Sequence, residues 1–129
     1  MTGGNSKGKE NASFGSRGEE LAATFLLKNG LNIIEQNFRC KGGEVDIVAR
    51  DGDTLVFVEV KTRKTLNYGV PQLAVTPFKQ RQISKAALTW LARNRKMNHS
   101  ARFDVIAILM EGDNRFSIEH IKDAFELAY

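Results

Sequence analysis

The sequence predicts an α/β fold, a mixed sheet with helices on its faces, on three observations. Two segments place apolar residues at helical spacing behind helix-start signals. Two stretches, Thr54 to Lys61 and Arg102 to Met110, are apolar almost throughout, as strands covered on both sides are. Between the helical segments, Glu44 to Arg50 alternates polar and apolar residues up to Asp51-Gly52, a β-hairpin signature. The order that follows is helix, strand, hairpin, helix, strand, with room for a further edge strand.

The first helix is expected from about Arg17 to Asn29. Ser16-Arg17-Gly18-Glu19 has the S-x-x-E form of a capping box, Leu21, Ala22, Phe25 and Leu26 follow at helical spacing, and Asn29-Gly30 supplies a stop. Glu19 borders the buried stripe, which leaves it either a cap or a site residue. Ahead of this helix, Met1 to Ala12 is rich in Gly, Asn, Ser and Lys with almost nothing to bury. Residues 1–13 therefore read as a disordered tail and 14–129 as a single domain.

Leu31 to Phe38 reads as a strand, and Arg39-Cys40-Lys41-Gly42-Gly43 as a loop with two cations and two glycines. Such a loop can bring amides and positive side chains to a phosphate, or be a turn with exposed charges. If Asp51-Gly52 is the hairpin turn, Arg50 faces Asp53, Asp46 faces Phe57 and Glu44 faces Glu59. Glu44, Asp46, Glu59 and Lys61 then share one face, with Asp46 and Glu59 diagonal neighbours roughly 7–8 Å apart or less. Two carboxylates so placed can reach one hard cation. Parity is decisive, since a one-residue slip sends Asp46 to the other face. Glu44 reads more simply as part of a wet face. Glu59 does not, because its strand is apolar on both sides and a charge there is costly unless paired, hydrogen-bonded or metal-bound. A Glu59–Lys61 ion pair is the rival structural reading.

Beyond Lys61, the stretch through Tyr68-Gly69-Val70-Pro71 to Val75 lacks periodicity and reads as a loop. Thr76-Pro77 starts the second helix, expected to run to about Asn94 with Ile83, Ala86, Ala87, Trp90 and Leu91 as its buried stripe. Lys79 begins on the inward side, either snorkelling or reaching a phosphate, while Arg81, Lys85, Arg93, Arg95 and Lys96 are available to solvent. After the Arg102 to Met110 strand, in which Asp104 reads as a structural partner for Arg102 or a neighbouring strand, Phe116 to Ile121 can add an edge strand. Asp123 to Tyr129 reads as a helical turn. His99 and His120 stand apart from each other and from any Cys pattern, so neither supports a zinc site or a catalytic triad.

Composition narrows the function classes. The chain has 129 residues, 42% hydrophobic, with 19 Lys and Arg against 15 Asp and Glu and a net charge of +4, which mildly favours an anionic partner. One cysteine, Cys40, excludes an internal disulfide framework and a multi-Cys zinc site. No apolar run approaches a membrane span and no secretory segment stands at Met1 to Ser13, so a cytoplasmic protein without a membrane partner is expected.

The order of elements with D46-(x12)-E59-V60-K61 resembles the PD-(D/E)XK nuclease superfamily, with its restriction-endonuclease-like core. The chain more closely resembles the YraN family of endonuclease-like bacterial proteins, related to archaeal Holliday-junction resolvases. That likeness rests on G18-E19-E20-L-A-A, N37-F-R-C-K-G-G-E-V-D46, F57-V-E-V-K61-T-R and R102-F-D-V, and covers Gly15 to Phe125. The resemblance implies Asp46 and Glu59 as metal ligands, Lys61 as the catalytic lysine and Glu19 as a helix carboxylate of the site. Val45 stands where the superfamily often has proline. Chemistry adds the Val60 carbonyl as a further ligand for Mg²⁺ or Mn²⁺, and Arg39, Lys41, Arg63 and Lys79 as holders of flanking phosphates. The expected function is metal-dependent hydrolysis of DNA phosphodiester bonds, on branched or structured DNA. A non-catalytic nucleic-acid-binding module and a structural domain with an ion-pair cluster are the alternatives. A homodimer is compatible with resolvase-like proteins, although no apolar stripe marks one.

Overall fold

A computed structural model describes residues 6–64, 75–112 and 114–128, with side chains from residue 15 onwards. Helix α1 (Ser6–Lys28) is followed by β1 (Asn32–Cys40), β2 (Gly43–Asp51), β3 (Thr54–Arg63), helix α2 (Pro77–Arg93), β4 (Ala101–Met110) and β5 (Phe116–Phe125). The five strands form one sheet in chain order. β3 and β4 are parallel because α2 carries the chain across between them, and the other neighbours are antiparallel. This is the mixed α/β arrangement expected of a restriction-endonuclease-like core.

Alternation along β3 explains why its sequence is apolar throughout. Leu55 and Phe57 enter a core with Phe38, Val48, Ile83, Ala86, Trp90 and Phe103 beneath α2. Val56 and Val58 enter a second core with Ala22, Leu26, Ile47, Ile106 and Ile108 beneath α1. Burial of each such large side chain contributes about 1.5–3 kcal/mol, and β3 supplies side chains to both cores, α1 lying mainly over β3 and α2 mainly over β2. Thr76 caps α2 by accepting the Lys79 N–H at 3.2 Å, with Pro77 at its first turn, as expected. Helix α2 comes close to the sheet at Gly43, where a Cβ would lie 2.5 Å from the Gln82 carbonyl.

Several expectations are corrected. The first helix begins at Ser6, not near Arg17, so it takes in residues expected in a tail, and residues 1–5 lie outside those described. Ser16 therefore sits inside a helix whose amides are already paired, and the capping-box reading of Ser16 and Glu19 fails. Gly18 instead marks the crossing of α1 over β3, where a Cβ would overlap Thr62 Oγ1. The loop expected at Arg39 to Gly43 is only the turn Lys41-Gly42, because β1 and β2 pair as far as Cys40↔Gly43. The loop expected around Tyr68-Gly69-Val70-Pro71 falls outside the described residues.

Where a helical turn is expected from Asp123, strand continues to Phe125 and residues 126–128 are irregular. β5 continues to Phe125, paired with Phe103, and their rings stack with centroids 4.9 Å apart. Packing across strands outweighs the local preference of Asp123 to Leu127. A register irregularity between Phe103 and Val105 in the pairing of β4 with β5, and a left-handed Asp123 (φ 52°), accompany a polar network about Asp104. Asp104 is fully buried; Arg102 Nε and Nη2 approach its carboxylate at 3.0 and 3.2 Å, His120 Nε2 at 2.7 Å and the Asp123 N–H at 3.0 Å. Arg102 also pairs with Asp51 at 3.0 Å. Asp104 is thus a structural anchor, as expected, and His120 is one of its partners. Among the described residues, no helix is long and apolar enough to cross a membrane.

Candidate active site

The site forms where β2 and β3 stop pairing. Their register runs from Asp51↔Thr54 to Ile47↔Val58, so the turn is Gly52-Asp53, with Gly52 at φ 61°, and not Asp51-Gly52. The correction shifts the pairing by two residues, which leaves every side chain on its expected face. It moves Asp46 from diagonal to the position across from Glu59 if the register is continued. The ladder ends there, and the Asp46 carboxylate takes the place of a backbone acceptor, with Oδ2 receiving the Val60 N–H at 2.7 Å.

Glu19, Asp46, Glu59, Val60 and Lys61 line one cleft of ≈ 340 Å³, together with Gly15 and Thr62. Glu19 reaches it because Gly18 lets α1 settle against Thr62. All four expected catalytic side chains and the backbone of Val60 therefore meet. Among the described residues, no three His, Cys, Asp or Glu side chains converge as a metal-ligand group. A cation here would depend on Asp46 and Glu59 supplemented by backbone carbonyl and water. That all-oxygen set fits Mg²⁺ or Mn²⁺, because Mg²⁺ keeps several waters and is ordinarily held by one or two carboxylates.

The electrostatics show a site under conflict. Glu59 is only 3% exposed, and its carboxyl is pushed up to about 7, first by burial and then by the neighbouring Asp46 charge. The two carboxyl groups also hydrogen-bond one another, which favours a proton on Glu59. Opposing this, Lys61 Nζ lies 3.5 Å and Lys79 Nζ 3.7 Å from Glu59 Oε2. The Glu59–Lys61 ion pair, the rival reading from sequence, is thus present inside the same cleft. Burial and the Asp46 charge also raise the Glu19 carboxyl, while a hydrogen bond with Asn37 and the charge of Arg39 oppose the rise.

Of the expected phosphate contacts, Lys79 and Arg39 stand at the rim through Glu44. Lys79 Nζ is 3.0 Å from Glu44 Oε1, and Arg39 Nε is 3.7 Å from Glu44 Oε2. The hydrogen bond from Lys79 holds the Glu44 carboxyl below its usual range. Burial disfavours charge on Lys79, but Glu44 and Glu59 outweigh it and raise its pKa. Lys41 is exposed in the β1–β2 turn, and Arg63 is half-buried at the end of β3.

Two residues were not singled out for the site by sequence reasoning. Glu44 is no passive wet-face residue but the link between Arg39 and Lys79. Asn37, in left-handed backbone at φ 56°, holds Glu19. Asn tolerates that conformation better than most residues, which was its one legible signal.

With this geometry in view, comparisons with known proteins place the chain. The family model described as "Uncharacterised protein family UPF0102" matches residues 18–108, which include every one of these side chains. The chain belongs to the UPF0102 family. It is similar to a UPF0102 protein of Pelobacter propionicus, with 68% identity over 122 residues, covering 93% of this chain and 87% of the relative. A UPF0102 protein of Geobacter sulfurreducens is 66% identical over 119 residues, covering 92% of this chain and 93% of its own. One of Rhodococcus opacus is 48% identical over 115 residues, covering 89% and 98%. The UPF0102 family is thus the one already suggested by the N37-to-D46 and F57-to-K61 runs.

Proposed function

We propose that this UPF0102 chain is a metal-dependent endonuclease of the PD-(D/E)XK superfamily that hydrolyses DNA phosphodiester bonds, on branched or otherwise structured DNA. The observation that carries the reading is the convergence of Asp46 and Glu59. Both line one cleft, and burial first and the Asp46 charge second push the Glu59 carboxyl up to about 7, a condition a divalent cation would relieve. Bound Mg²⁺ or Mn²⁺ would supply Lewis-acid polarisation of the phosphate and a more acidic water.

The chain's own residues have distinct tasks. Asp46 is oriented by the Val60 amide and cannot turn away without leaving that N–H unpaired. Lys61, at the mouth beside Glu59, would offset charge gathering on the phosphate oxygens as water attacks phosphorus and the bond to the leaving sugar oxygen breaks. Glu19, held by Asn37, can take the proton that the attacking water loses, since burial and Asp46 raise its basicity. Lys79 and Arg39, bridged by Glu44, would hold neighbouring phosphates.

A second reading, a binding module without catalysis, is favoured by the two ammonium groups already beside Glu59, which offset part of its charge without a metal. One experiment divides the two. Branched and linear DNA are incubated with the protein and Mg²⁺ or Mn²⁺, and nicking and binding are read in parallel. Cleavage that Lys61→Ala abolishes while weakening binding only modestly supports the nuclease. Binding without cleavage in either metal leaves the module, and no binding at all removes both.

A further inference from the structure

Helix α2 carries four cations, Lys79, Arg81, Lys85 and Arg93, and no acidic residue, and none appears anywhere from Thr76 to Phe103. Lys79 faces inward to the cleft. Phe78, Arg81 and Lys85 follow one another at i, i+3 and i+7, and all three are exposed. They form a stripe on the side of the helix opposite Ile83, Ala86 and Trp90, which are buried. The β1–β2 turn joins this stripe, because the Lys85 ammonium lies over it, 2.7 Å from where a Cβ of Gly42 would stand. That brings exposed Lys41 alongside. Among the described residues, none of Lys41, Arg81 and Lys85 forms an ion pair, whereas Arg39, Lys61, Lys79 and Arg102 all do.

From this juxtaposition we infer that the outer face of α2, with the Lys41 turn, is a docking surface for one arm of a DNA duplex that runs outward from the cleft. The inference rests on the nucleic-acid reading above and deepens it by naming where the substrate lies. Charge complementarity commits the surface to a polyanion, and the length of the helix suits a duplex arm. A straight helix of 17 residues is about 25 Å long, the length of roughly seven base pairs at 3.4 Å each. Single strands are ordinarily bound in grooves that stack successive bases on aromatic rings. Here Phe78 is the only aromatic on the stripe, and it stands at the cleft end, where the arm would meet the site. Arg81 and Lys85, one helical turn apart, contact successive phosphates and read no bases.

The test compares two double variants with the same loss of charge, Arg81→Ala/Lys85→Ala on this face and Lys28→Ala/Lys122→Ala on exposed positions of α1 and β5. Binding to labelled branched DNA with arms of 4 to 14 base pairs is measured across a salt series, alongside nicking with Mg²⁺ or Mn²⁺. The α2 variant is expected to lower the salt slope by about two units, at ~0.9 per phosphate contact, and the control to leave it nearly unchanged. Affinity of the unaltered protein should rise with arm length to about seven base pairs and then level off. Equal slopes for the two doubles, affinity indifferent to arm length, or an α2 dependence seen only with anionic lipid vesicles would each overturn the inference. Cleavage that persists while the doubles bind alike defeats the docking face and spares the nuclease. Duplex binding through α2 without cleavage does the reverse.

Discussion

Two carboxylate clusters in this molecule use the same chemistry to opposite ends. Asp104 is fully buried, and burial alone would raise its pKa. His120, Arg102 and the Asp123 N–H overcome that and hold the carboxyl below its usual range. Glu59, nearly as buried, has Asp46 where Asp104 has a donor, and its carboxyl rises to about 7. The first cluster is settled, every acceptor being matched with donors, and it ties β5 to β4. The second is left in conflict by the fold at the mouth of a cleft. A buried charge that its surroundings satisfy builds structure, and one they leave strained is available to a ligand.

The largest effect expected from this contrast is at the settled cluster. Asp104→Ala leaves Arg102 and the Asp123 amide without their buried partner, and breaking such an arrangement from one side costs about 3–5 kcal/mol. Urea denaturation at pH 7 measures it. A loss below about 1 kcal/mol would mean that the network is not the anchor described here.

The next effect has the opposite sign. A carboxyl raised in the folded state from 4.5 to about 7 favours folding when protonated, so its contribution is fully present below pH 4.5 and is lost as pH rises through 7. Glu59→Gln should therefore match the unaltered protein near pH 4 and exceed its stability by roughly 3 kcal/mol or less at pH 8, the release of Lys61 and Lys79 taking back part of the gain. Asp104, with a depressed pKa, runs the other way. Its contribution is present above about pH 3.8 and lost as pH falls through its lower folded value. Denaturation midpoints for both variants from pH 3 to 8 check the pair, and parallel profiles would erase the distinction.

How far the sequence led follows the same division between local and distant relations. The order of elements along the chain, the two helices and the shared face of Asp46 and Glu59 were legible because period-two and helical patterns are local. The turn was misplaced by one residue because Asp51-Gly52 and Gly52-Asp53 can both make a two-residue loop, yet the resulting shift of two in the pairing keeps parity. The Ser16 capping box misled because a cap signal does not reveal that a helix continues upstream. Asp123 to Leu127 misled because the stacking of Phe125 on Phe103 spans 22 positions. The bonds of Asp104 with His120, of Glu44 with Lys79 and of Glu19 with Asn37 join separate elements, and no spacing rule marks them.

A cation should act on the conflicted cluster alone. If Mg²⁺ binds only the folded chain, 100-fold excess over its dissociation constant adds ~2.7 kcal/mol by mass action. Thermal melts with and without Mg²⁺ should show this rise for the unaltered protein and for Asp104→Ala, each from its own starting point. Asp46→Asn should lose the response. A rise equal in all three would assign the cation to some other part of the molecule.

The smallest stability effect belongs to a third kind of pair, the exposed one. The Arg39 side chain is 76% exposed and its Glu44 partner 42%, at 3.7 Å, so water screens them and the bond is worth at most about 1 kcal/mol. Arg39→Gln should leave the urea midpoint almost unmoved. It also frees Glu44 to lean wholly on Lys79, whose ammonium already sits 3.0 Å away, which draws Lys79 from Glu59 and from any phosphate at the rim. DNA binding should therefore weaken, with the salt slope falling by about one unit for the Arg39 contact itself. A variant that loses stability and keeps its DNA affinity would place Arg39 with the settled cluster and not at the rim of the site.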